Sequence, residues 1–119
     1  MIEEFKRYQQ QLITAIHDYE TKREALRTSR SQVHEHKLKL LRIGDEFEVD
    51  GKNQAEREKD FRRQAELSQR YQAEDKLLQQ EAELVAMYEG EVESLKYTIR
   101  LHELEMKFCI AQLEGVKHD

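Results

Sequence analysis

Apolar residues recur every seven positions along two stretches of this chain. In the later stretch the column reads Tyr71, Leu78, Val85, Val92, Ile99, Met106 and Leu113. A seven-residue period held this long predicts one continuous helix laid against partner helices. The column three residues further on is mixed: Glu74, Glu81, Tyr88, Leu95, His102, Cys109 and Val116. It is half polar at its start and almost wholly apolar at its end, which marks the end as the part most in need of a partner. The earlier stretch carries its own column, Phe5, Leu12, Tyr19, Leu26, Val33 and Leu40. Tyr8, Ala15, Ile16 and Ile43 support that column near its ends. Its middle is flanked by Lys22, Arg23, Ser29, Arg30, His36 and Lys37, where long basic side chains can lay their methylenes along the seam and keep their charge in water.

These columns predict a first helix over about 3–43, roughly 60 Å long at 1.5 Å per residue. Lys37, Lys39 and Arg42 suit its C-terminal dipole, and Gly44 is its C-cap candidate. Residues 44–53 hold two glycines and four acids with no helical spacing, so they form the connection. Asp50-Gly51 would suit a tight hairpin turn, but no strand follows Lys52 to pair with Phe47 and Val49, and an irregular loop is the expectation. Asn53 caps the second helix, with Glu56 as capping-box partner. That helix is expected over about 54–117, continuous through Gly90, because Val85, Val92 and Ile99 keep their phase across it. The fold class is all-α: an antiparallel helical hairpin, or coiled coil, of two long helices of unequal length in a single helical domain, 1–119.

A turn near residue 48 places residue n beside roughly residue 96 − n. The first helix then covers the second only to about Ser94, and everything from about 95 overhangs. There the apolar surface becomes two-sided, with Leu95, Ile99, Met106 and Leu113 on one side and Tyr97, Leu101, Leu104 and Phe108 on the other. A helix apolar around most of its circumference is not stable as an exposed arm. Roughly 10 kcal/mol of burial awaits a partner at about 25 cal/mol per Å². The expected oligomer interface is Leu95, Ile99, Leu101, Leu104, Met106, Phe108 and Leu113, and the expected arrangement is a homodimer, since a two-fold axis pairs two overhangs.

Composition sharpens this picture. The 119 residues include no Pro, no Trp and four Gly, with 38% charged and 38% hydrophobic residues. Such a chain can bury a narrow stripe along a helix but cannot fill a broad core. Sustained heptads argue against disorder. The lone Cys109 makes no intramolecular disulfide, no apolar run is long enough to span a membrane, and the acidic N-terminus does not resemble a signal peptide. A soluble chain in a reducing, cytoplasmic compartment is expected. The net charge of −5 disfavours nucleic acid as a partner.

The search for chemistry finds little. Glu does not precede any of the five His by three residues, and His34 and His36 point apart on a helix, so no metal site is expected. His102 falls in the apolar seam as a polar residue that fixes register, and the other histidines are expected at the surface. Cys109 reads as a small buried hydrophobe. With no phosphate loop, no nucleophile–base set and no cofactor motif, an enzyme is not expected. The basic stretch Lys22, Arg23, Arg27, Arg30, Lys37, Lys39 and Arg42 offers a surface for an acidic partner or lipid headgroups. The expectation is that it instead faces Glu56, Glu58, Asp60, Glu66, Glu74 and Asp75 across the hairpin and fixes register.

In outline the chain resembles the small stalk proteins of type III and flagellar export gates, which are Pro-poor hairpins with unequal arms. Asp18-Tyr19-Glu20-Thr21-Lys22-Arg23 resembles stretches of membrane-bending BAR domains. Prefoldin-type chaperones also join two helices, but by β-hairpins longer than residues 44–53 allow. The expected function is a scaffold, adaptor or chaperone-like subunit that dimerises through residues 95–117 and presents its charged arms to a larger assembly, with a membrane-surface module using residues 21–43 as the second reading. None of the resemblances supplies residues to carry over.

Overall fold

The computed structural model describes residues 2–118, with side chains to residue 115; the side chain of Val116 lies outside that range. It contains three helices, α1 (Ile2–Asp45), α2 (Gln54–Leu67) and α3 (Gln69–His118). Helix makes up 92% of it, and the described residues include no strand. α1 and α3 pack against each other, so the fold is an all-α helical hairpin. Two compact units divide it: Met1–Leu26 with Met87–Asp119, and Arg27–Ala86.

The second unit holds the connection and the largest departure from the heptad reading. The expected helix over 54–117 is two helices, interrupted at Ser68, whose φ of −84° and ψ of 114° are extended. Ser68 serves both ends. Its N–H donates to Gln64 O at 3.0 Å and Ala65 O at 3.3 Å, closing α2. Its Oγ accepts from Tyr71 N at 3.2 Å, capping α3. Gln72 Nε2 donates a second hydrogen bond to Ala65 O at 2.9 Å, which ties the start of α3 to the end of α2.

α2 is held against the end of α1 by aromatic packing. Phe61 lies 5.4 Å from Phe47 and 6.1 Å from Tyr71 between ring centroids, and Phe47 lies 5.9 Å from Tyr71. Such tilted and edge-on pairs are each worth about 0.5–1.5 kcal/mol beyond their burial. The Phe61 ring sits so close to Gly44 that a Cβ there would stand 2.9 Å from Cζ. Gly44 is therefore buried inside the last turn of α1, which runs to Asp45, and is not the expected C-cap. Its role is to admit the ring.

Side chains of α2 pin the irregular loop. Gln64 Nε2 donates to Glu48 O at 2.8 Å, and Asp60 Oδ2 accepts from Asp50 N at 3.0 Å. Asn53 Oδ1 accepts from Glu56 N at 2.9 Å as the cap, while Glu56 Oε2 reaches Lys52 N at 2.8 Å, one residue short of the expected reciprocal bond. Beyond the break, Arg70 pairs with Glu46 at 3.1 Å and His36 with Glu74 at 2.6 Å, so α1 and α3 run antiparallel here.

In the first unit the only elements are the N-terminal part of α1 and the C-terminal part of α3. Ala15 and Leu26 of α1 and Val92 and Cys109 of α3 are buried. Lys22 Nζ stands 3.0 Å from Glu91 Oε2, where a turn at residue 48 would have placed it near residue 74. The displacement has a simple source: α2 takes 14 residues out of the returning arm. The expected overhang from about 95 is corrected accordingly. Arg7, Thr14 and Asp18 line one groove with Leu95, Thr98 and His102, so α1 runs beside the segment that was to stand alone.

Candidate functional site

Within the first unit α3 carries two apolar faces on opposite sides. On the face toward α1, Leu95, Ile99, Met106 and Leu113 are half-buried and Cys109 is 3% exposed. Leu95 lines a groove there with Arg7, Thr14 and Asp18 of α1. On the other face Tyr97, Leu101, Leu104 and Phe108 are 70%, 56%, 56% and 66% exposed. The expected interface residues are thus divided between these faces: Leu95, Ile99, Met106 and Leu113 are half-buried, and Leu101, Leu104 and Phe108 lie on the open face with Tyr97.

Helical geometry accounts for the division. At 3.6 residues per turn, Leu101 lies some 200° from Ile99, and Phe108 as far from Met106. The open face has its own seven-residue columns, Met87–Ser94–Leu101–Phe108 and Gly90–Tyr97–Leu104–Ala111. Met87, 48% exposed, extends it toward the start of the unit; the seven-residue spacing to Leu101 through Ser94 was the signal for it. α3 continues through Gly90, and a Cβ at Gly90 would meet nothing within 4 Å. The four large side chains leave on the order of 500 Å² of apolar surface in water, toward the upper end of what monomers show.

His102 lies on the covered face, with Nδ1 3.7 Å from Glu105 Oε2 and no hydrogen-bond partner for that nitrogen in the structure. His36, expected at the surface, is instead in the seam of the second unit, where its side chain and that of Glu74 are 13% and 14% exposed. The pair places two polar groups where the mixed column meets α1. No group of three His, Cys, Asp or Glu side chains among the described residues is placed to hold a metal ion, and Cys109 is a free thiol.

The basic stretch is divided between the two units. Lys22 pairs with Glu91 and lies 5.6 Å from the centroid of the Tyr88 ring. The hydrogen bond and charge of Glu91 raise the Lys22 pKa. In the second unit Arg27, Arg30 and Lys37 share one exposed side of α1. Lys39 and Arg42 lie elsewhere, around a hollow with Arg70, Ile43, Ala73 and Glu74. Arg23 is exposed in the first unit.

The acids expected opposite this stretch are mostly engaged locally. Asp60 bonds Asp50 N, Arg63 and Gln64; Glu56 bonds Lys52 N; Glu58 bonds Gln54; and Asp75 bonds Gln79. Glu74 of that set pairs across to α1, and its partner is His36. Among the described residues no helix is long and apolar enough to cross a membrane. Comparison with protein-family models, with curated proteins and with solved structures finds no match to this chain.

Proposed function

We propose that this protein is a non-enzymatic coiled-coil interaction module, a scaffold or adaptor subunit that joins a second copy through the open face of α3 and offers its charged helices to other proteins. The observation that carries this reading is the exposure of Tyr97, Leu101, Leu104 and Phe108 along one side of a helix whose opposite side is already occupied. An apolar helical face of heptad period is what a partner helix covers. A reducing, cytoplasmic setting belongs to this reading.

Replacing Leu104 and Phe108 together by Glu tests the reading. The seam toward α1 does not use these side chains, so circular dichroism should stay helical while light scattering reports a halved mass. Unchanged mass in the double variant contradicts the role assigned to the face.

A second reading, docking on anionic membranes, is favoured by one observation: Lys39, Arg42 and Arg70 gather around one hollow. Salt-sensitive sedimentation with anionic liposomes, lost in a Lys39→Glu/Arg42→Glu variant, would support it over the first.

A further inference from the structure

Resting on the reading of α3 as a self-associating helix, we infer that the two copies pair in parallel and in register. The apolar positions do not choose the orientation. Ser94, Tyr97, Leu101, Leu104, Phe108 and Ala111 run small, aromatic, leucine, leucine, aromatic, small, a face that reads alike in both directions. In an antiparallel pair Tyr97 would meet Phe108 of the second copy and Ser94 would meet Ala111; in a parallel pair each would meet itself. Both arrangements fill their layers equally.

The flanking charges do choose. One flank of the open face carries Glu93, Arg100, Lys107 and Glu114 at seven-residue spacing, all exposed; the other carries Glu91, Thr98, Glu105 and Gln112. Charges on such flanks set the orientation of paired helices. An antiparallel pair brings like flanks together, so Arg100 faces Lys107 of the second copy and Glu93 faces Glu114. By symmetry each clash occurs twice, while the other flank sets Glu105 against Thr98 and Glu91 against Gln112 without a clash. A parallel pair sets unlike flanks against each other, five residues apart. Arg100 then meets Glu105 of the second copy, twice per dimer, while Glu93 meets Thr98 and Lys107 meets Gln112. Parallel pairing gains two attractive contacts at Arg100 and Glu105 and sets Glu93 and Lys107 against uncharged residues.

Cysteine cross-linking in the full-length chain reads the orientation. In a Cys109→Ala background whose mass is first measured by sedimentation, Ser94→Cys and Ala111→Cys are made separately. Parallel pairing predicts that each variant oxidises to a disulfide dimer alone and that a mixture forms no 94–111 cross-link. Antiparallel pairing holds identical positions 17 residues apart, roughly 25 Å along the helix. Neither variant would then cross-link alone, only their mixture would, and the inference would be overturned.

Arg100→Glu gives an independent readout of opposite sign. It weakens a parallel dimer several-fold and tightens an antiparallel one by removing the Arg100–Lys107 repulsion. Tightening overturns the inference. A background chain that sediments as a monomer fails the underlying reading instead, so the two failures are told apart.

Discussion

Lys22 Nζ lies 3.0 Å from Glu91 Oε2, and this contact reports the register of α1 against α3 in the first unit. Reversing either charge should lower the melting temperature, and the double reversal Lys22→Glu/Glu91→Lys should recover most of the loss. The pair is about two-fifths exposed on each side, so the changes will be small and will shrink with added salt. Recovery by Glu74→Lys in place of Glu91→Lys would contradict this register.

Two glycines should respond to alanine in opposite directions. Gly90 is helical with open space around it, so Gly90→Ala should add roughly 0.5–1 kcal/mol of stability. Gly44→Ala meets the Phe61 ring at 2.9 Å, and overpacking of about 1–3 kcal/mol should outweigh the helix-propensity gain of about 1 kcal/mol. Denaturant melts of both variants check the contrast. A Phe61→Leu change should relieve part of the Gly44→Ala loss.

Asp60 carries the acid sensitivity of the loop. Hydrogen bonds from Asp50 N, Arg63 and Gln64 lower its pKa from the ordinary 3.8 to about 2. A depressed carboxylate stabilises the fold fully above the unfolded value, and that contribution fades as pH falls from about 4 toward 2. Asp60→Asn should therefore melt below the parent at neutral pH, with the gap closing over that acid window. A gap of constant size down to pH 2 would contradict the assignment.

Much of the architecture was legible because narrow burial leaves a strict seven-residue imprint. Val92 and Leu26, members of the two columns, are among the most buried side chains. The break at Ser68 was not legible as a turn, because no Gly or Pro marks it and helix formers stand on both sides. A fainter signal was present: seven and fourteen residues before Tyr71 the later column continues as Gln64 and Arg57, both polar. α2 takes up 14 residues of the returning arm, so the pairing is displaced by about that length and α1 lies beside Leu95, Thr98 and His102. The open face depended only on spacing within one helix, so the error in register left Leu101, Leu104 and Phe108 on their side of α3.

The proposed self-association rests on that face meeting a second copy. Sedimentation equilibrium of the unmodified protein, across a concentration series reaching tens of micromolar, measures it most directly. The account predicts a mass of twice the chain at the upper concentrations, dissociating on dilution. A mass that stays at one chain throughout would contradict it.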